Sequence, residues 1–425
     1  MGFVGAGLRA RPPAMRPVMD KRAGAEAGPY DISTNPNLPL KTYAAIRISL
    51  PVREKELPLF WKGAILDTRK LLREVPFMWQ HEITKAIPLL NGQGELTQPG
   101  WARKPLPVYD RGAVKASRLR LKEWDYYLVA NEDFAVALTV ADNGYMGLDS
   151  ISFLDFRAPS QITKSPIRVL PMGGTGLPTT SADGVTAVSG RGYGLTFLHT
   201  EGKELGAARQ LLFTMENFDG KQPIQGSITL FDEPEESVVI CTPFEKPGHF
   251  YYNQKINCMR ASGTVTIGDR EYRFEPKNSF AVLNWGRGVW TYRNTWYWGS
   301  ASGLVEGQPF GFNLGYGFGN ASAATENALI FSRKIHKLSH VKFHIPGKPG
   351  RENYLKPWKI TSDDGRLELD FRPILDRAAC TDLKVLKSDQ HQVFGHFSGT
   401  AVLDDGTRLE IRKLLGFAEK VVNKW

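Results

Sequence analysis

The 425-residue sequence has only three cysteines, Cys241, Cys258 and Cys380, an odd number with no Cys-x-x-Cys pair. This excludes a disulfide framework or a cysteine-based zinc site as the organising device, and the reading is a reducing, cytoplasmic setting. Apolar runs all fall short of the roughly 18 residues that a membrane-spanning helix needs, so stable membrane insertion is not expected. Phosphate cradles are missing too. Gly315-Tyr-Gly-Phe-Gly lacks the Gly-x-Gly-x-x-Gly spacing, and no Gly-x-x-x-x-Gly-Lys-Ser/Thr occurs. Gly299-Ser-Ala-Ser-Gly has Ala301 where a nucleophile elbow requires serine. His336, His340 and His344 recur every four residues, but the alternation of Val341, Phe343 and Ile345 leaves only His340 and His344 on one strand face. No metal and no cofactor are expected.

What is present is β-forming material. Glycine (42), proline (27) and 11% aromatics favour short strands and tight turns over long helices, and 42% hydrophobic residues supply ample core. The net charge of +10 is mostly dispersed, so nucleic acid is not an expected partner. Arg118, Arg120 and Lys122 alternate with Leu119 and Leu121, which places three cations on one side of a strand, either as a solvated face or as a guide for an anionic ligand.

Residues 1–40 read as a disordered leader. The first 19 carry no acid and are read as a disordered extension or a stretch upstream of a start at Met15 or Met19, in preference to an organelle-type presequence. Residues 41–93 form an N-terminal segment in which Leu66, Leu71, Leu72, Val75 and Met78 recur at helical spacing. From Trp124 the period becomes two. Trp124-Asp-Tyr-Tyr followed by Phe134-Ala-Val-Ala-Leu-Thr-Val-Ala is matched by Trp296-Tyr-Trp followed by Phe310-Gly-Phe-Asn-Leu-Gly-Tyr. Ser262-Gly-Thr with Phe280-Ala and Trp285 is matched by Ser398-Gly-Thr with Phe417-Ala and Trp425. The aromatic starts lie 172 residues apart (296 − 124) and the Ser-Gly-Thr turns 136 apart (399 − 263), so the first copy carries an insertion, placed at the irregular stretch 158–190. The fold expected is all-β, a duplicated antiparallel barrel or sandwich with a first unit over 94–290 and a second over 291–425.

The junction between the units holds four of the ten tryptophans within fourteen residues, Trp285, Trp290, Trp296 and Trp298. These rings and Tyr292 can enclose an apolar ligand. Glycines on both sides of Arg287 suggest a sharp turn on which the guanidinium orients a polar group; the alternative is that the rings fill core and Arg287 pairs with a buried carboxylate. Asn284, Asn313, Asn320, Tyr252 and Lys255 are further polar candidates for ligand contact. Glu326, at a strand end beside aromatic residues, is a candidate general acid or a turn anchor, and Asp125 holds the corresponding place in the first copy.

Pro99-Gly-Trp, Lys122-Glu-Trp-Asp-Tyr-Tyr, Asp142-Asn-Gly-Tyr, Tyr252-Asn-Gln-Lys, Trp285-Gly-Arg-Gly-Val-Trp, Thr325-Glu-Asn and Gly416-Phe-Ala-Glu-Lys through Asn423-Lys-Trp resemble a microbial family known as domain-of-unknown-function family 2804. The resemblance implies aspartate at the position of Asn284, and often of Asn320, so this chain departs from the pattern there. More distantly, the duplicated layout is similar to the double lipocalin-like (calycin) proteins that include carotenoid hydratases and tocopherol cyclases. That similarity implies a calycin-like double barrel binding a partly apolar small molecule at the junction, as a non-redox acid–base hydratase, lyase or isomerase. A carbohydrate-active hydrolase and a non-catalytic lipid or metabolite carrier are the alternatives.

Overall fold

The computed structural model describes residues 80–202, 206–382 and 387–424. The leader and the helical run from Leu66 to Met78 lie outside them. Among the described residues the chain is almost wholly antiparallel β, with Arg111–Ala113 a single 3-10 turn. The described residues fall within one compact unit.

Nine strands carry the argument: β1 Lys122–Ala130, β2 Phe134–Asp142, β3 Met146–Asp155, β4 Phe250–Ile267, β5 Phe280–Val289, β6 Arg293–Val305, β7 Gln308–Tyr316, β8 Lys387–Val402 and β9 Arg408–Lys424. In the first sheet the neighbours run β3-β2-β1-β5-β4 and continue through Gln222–Phe231, Gly206–Asp219, Tyr193–Gly202 and Val185–Gly190. In the second they run from Ala328–Phe331 through β7-β6-β9-β8 to Leu367–Asp382, Trp358–Ser362 and Val341–His344. The order of neighbours is alike in the two sheets. Gly263 and Gly399, paired in the sequence comparison, share φ values of +155° and +148°. A Cβ on either would sit 2.2 Å from Ser227 O or 2.1 Å from Glu368 O, so only glycine lets the facing strand approach.

Each sheet encloses its own apolar cluster, and a third cluster fills the seam where the two sheets meet. Period two explains how one strand serves two of them. Along β1, Tyr127 and Val129 enter the first core while Tyr126 and Leu128 enter the seam. Along β5, Leu283, Trp285 and Val289 enter the core while Val282 enters the seam. From the other side Trp298 of β6, Phe394 of β8 and Leu415 and Phe417 of β9 complete the seam. Burying a side chain of this size stabilises by about 2 to 3 kcal/mol. The seam also has a polar staple. Asn257 lies where the β4–β5 register shifts, and its Nδ2 donates to Ser300 Oγ (2.8 Å) and Phe312 O (3.1 Å) on the second sheet.

Two local expectations are corrected. The stretch 158–190 contains the strands Ser160–Lys164, Ile167–Val169 and Val185–Gly190, the first two pairing with β3. The strand containing Lys122 begins at that residue, after Arg118 and Arg120 in a turn. Lys122 is buried, its Nζ donating to Asn143 O (2.7 Å), and Arg120 Nη2 donates to Trp290 O (2.8 Å), so this is not a face of three solvated cations.

Candidate functional site

A cavity of about 230 Å³ opens in the seam. Trp124, Tyr126, Tyr251, Trp290, Trp296, Trp298 and Phe318 form its aromatic walls. The rows of the first sheet set this up. Lys255, Asn284, Tyr126 and Thr139 lie in one cross-strand row, and Asn253, Gly286, Trp124 and Ala141 in the next. Gly286 leaves room for the neighbouring indole, since a Cβ there would lie 2.0 Å from Trp124 Cζ2. Phe318, from the loop after β7, sits edge-on to Tyr251, Trp290 and Trp296 at centroid distances of 5.0, 5.3 and 5.4 Å. The same loop is tied to the first half by Asn320 N donating to Pro243 O (2.7 Å).

Lys255 is buried in this aromatic setting, its Nζ 4.8 Å from the Trp298 ring centroid. It donates to Asn253 Oδ1 (2.7 Å) and Tyr251 Oη (3.0 Å) and pairs with Glu326 Oε2 (3.2 Å). Burial lowers its pKa, opposed by the Glu326 charge. Glu326 is held in turn by Asn313, whose Nδ2 donates to its Oε2 (3.1 Å) and backbone O (2.8 Å). Asn313 Oδ1 accepts from Trp298 Nε1 (2.7 Å). Gly315 admits the carboxylate, because a Cβ there would lie 2.4 Å from Glu326 Oε1.

A second carboxyl group faces the same cavity. Glu419 of β9 accepts from Trp296 Nε1 at Oε1 (2.9 Å) and from Gln392 Nε2 at Oε2 (3.1 Å). It is 4% exposed. Burial pushes its pKa up to about 7, against the opposing pull of the Trp296 N–H, Arg377 and Lys255. Such a group carries a proton near neutral pH and can also release it.

The structure gathers Asn284, Trp290, Trp296, Trp298, Lys255 and Glu326 around the cavity, with fully buried Asn313 behind Trp298 and Glu326. Trp285, Arg287, Tyr252 and Asp125 do not meet them. They project into the first core. The glycines beside Arg287 make no turn, since β5 runs straight through them, and Gly288 instead accommodates Phe250 O at 2.5 Å from a notional Cβ. Arg287 is 0% exposed, lies 4.1 Å over the Trp285 ring, donates through Nη1 to Asp125 Oδ1 (3.1 Å) and through Nη2 to Pro178 O (2.7 Å). Its Nε lies 3.6 Å from Glu123 Oε1. Asp125 is therefore a charge partner of a core arginine rather than a cavity acid. Tyr252 donates to Pro107 O (2.7 Å) and packs edge-on against Trp285. Tyr292 is 42% exposed outside the cavity, and Asn320 caps an exposed turn by accepting from Ser322 N (3.0 Å).

Sequence reasoning did not single out Glu419. Its signal is an acid two positions after Phe417, on the same buried face of a strand. Tyr251 was passed over for Tyr252, because aromatic neighbours on one strand point to opposite faces and nothing in their type says which face holds the cavity.

Residues 80–425 match the family model described as a domain of unknown function, DUF2804. No curated protein matches the chain in sequence. Among solved structures, an AttH candidate from Nitrosomonas europaea is 12% identical with a TM-score of 0.46, covering 75% of this chain and 98% of that one. Kievitone hydratase from Nectria haematococca is 11% identical with a TM-score of 0.41, covering 82% and 98% respectively. CghA is 14% identical with a TM-score of 0.40, covering 81% and 97%. Likenesses at these scores carry no argument about this chain's activity.

Proposed function

The chain belongs to the DUF2804 family, and we propose that it binds a small molecule of apolar or mixed polarity in the seam cavity and moves a proton on it, as an acid–base hydratase, lyase or isomerase. One observation carries the reading: Glu419, a carboxyl group whose pKa burial raises to about 7, faces an aromatic cavity large enough for a small ligand. Protonated Glu419 gives its proton to the ligand, and the carboxylate left behind is met by the Trp296 and Gln392 N–H groups. The charge of Lys255 also favours that carboxylate. Glu326, bound by Lys255 and Asn313, is the positioning carboxylate. Sugar hydrolysis, which needs two carboxyl groups acting on opposite sides of one bond, is less well served, because Glu326 is engaged by that ion pair. The matching strand order of the two sheets supports reading the chain as an internal duplication with its ligand site between the copies.

The test is deuterium incorporation from heavy water into a panel of unsaturated ketones, isoprenoid alkenes and enol ethers, read by mass spectrometry. Wild-type protein exchanges at least one of them, and Glu419→Gln, with an unchanged circular dichroism spectrum, does not. Equal exchange by both proteins, or no exchange by wild type across the panel, overturns the proposal; binding without exchange would leave a carrier.

A further inference from the structure

The hydrogen bonds around Asn284 fix which end of its amide meets the ligand. Lys255 Nζ has only protons to offer, so the Asn253 atom 2.7 Å away is its oxygen. Asn253 Nδ2 then donates to Asn284 at 2.6 Å. The indole Nε1–H of Trp124, a donor only, approaches the same Asn284 atom at 3.2 Å. Two independent donors therefore identify that atom as Oδ1, and the usual ambiguity of an amide orientation is removed. Asn284 Nδ2 donates to no described residue, yet the side chain lines the cavity and is half-buried. Trp290, in the same wall and 6% exposed, has an Nε1–H that is buried without a hydrogen-bond partner. The Asn284 amide therefore presents a donor of fixed polarity to the cavity.

We infer that the cavity takes an apolar molecule bearing a carbonyl, whose oxygen accepts a hydrogen bond from Asn284 Nδ2. The inference rests on the seam cavity being the ligand site and names the substrate class for it. A carbonyl held in this way couples directly to the acid–base group. A proton passes from the carbon beside the carbonyl to the Glu419 carboxylate, the C–H electron pair forms a carbon–carbon double bond, and the carbonyl π pair moves onto the oxygen facing Asn284. Return of the proton to the same carbon, or to the far end of a conjugated double bond, restores the carbonyl. The sequence is an isomerisation with no net redox change, and a donor aimed at the oxygen stabilises the enolate that forms on the way.

The probes are 1-tetralone and tetralin, which share a fused-ring skeleton and differ by the carbonyl. Binding is followed by tryptophan fluorescence and calorimetry at pH 8. Wild type is expected to prefer the ketone by about tenfold, the equivalent of one buried neutral hydrogen bond. Asn284→Asp keeps an acceptor for Trp124 and Asn253 but offers the ligand an acceptor, and Asn284→Ala offers nothing. In both the preference falls to within about twofold, and the carbonyl stretch of bound 1-tetralone moves to higher wavenumber than in wild type. Ketone preference is an equilibrium reading scored apart from the deuterium exchange that tests Glu419, so loss of proton transfer and loss of carbonyl recognition are separable. Equal affinity of wild type for both probes, binding of neither, or an undiminished preference in both Asn284 variants overturns the inference.

Discussion

Trp296 Nε1 lies 2.9 Å from Glu419 Oε1, an indole of β6 anchoring the carboxyl group of its neighbour β9 within the seam. The bond holds the acid in one place, but burial still outweighs it, and the group stays protonated to about pH 7. The consequence is a pH dependence of stability. In the unfolded chain a glutamate ionises near 4.5, whereas in the folded chain this one ionises near 7. The folded state binds the extra proton between those values, so this contribution is full below about pH 4.5 and is lost as pH rises through 7. Wild type should therefore lose on the order of 3 kcal/mol relative to Glu419→Gln between pH 4.5 and 7, as measured by urea denaturation of both proteins across that range.

Lys255 favours the ionised form of Glu419, so Lys255→Met should move the Glu419 midpoint further up. The same change strands Glu326 and should cost about 3 kcal/mol, part of which Glu326→Leu recovers when added to it. An unchanged midpoint would show that the two groups do not share one field.

Arg287→Ala should behave as a folding variant. It leaves Asp125 without its buried cation, while Glu123 keeps Arg111 at 2.7 Å, and should cost about 3 to 5 kcal/mol in urea denaturation. Below the denaturation threshold its relative affinity for 1-tetralone and tetralin should equal that of wild type, because Arg287 faces the first core. A selective loss of ketone binding would return Arg287 to the ligand site.

Gly286→Ala tests the wall itself. The added methyl group displaces the Trp124 ring towards the cavity, and overpacking of this kind costs about 1 to 3 kcal/mol. A lower melting temperature together with weaker binding of both probes is expected.

The sequence made the strands, the two aromatic starts and the tryptophan-dense junction legible, because alternation and residue type are local properties. It did not separate Trp285 and Arg287 from Asn284 as to role. These residues alternate along β5, and in a strand buried on both faces alternation says that two faces exist but not which of them borders a cavity. Trp290, Trp296 and Trp298 were found by their density alone, and Glu326 by its place at a strand end. Glu419 needed the second sheet. Its pKa is raised by burial that only the folded seam provides, and two of the groups that oppose the rise lie 27 residues away in sequence at Gln392 and 123 away at Trp296.

The most direct test is the titration of Glu419 itself, by 13C nuclear magnetic resonance of glutamate side-chain carboxyl carbons, with the Glu419→Gln protein assigning the signal. A midpoint near 7 is predicted, moving upward in Lys255→Met. A midpoint near 4.5, the value of an ordinary glutamate, would contradict the account and leave the seam cavity without an acid poised for neutral pH.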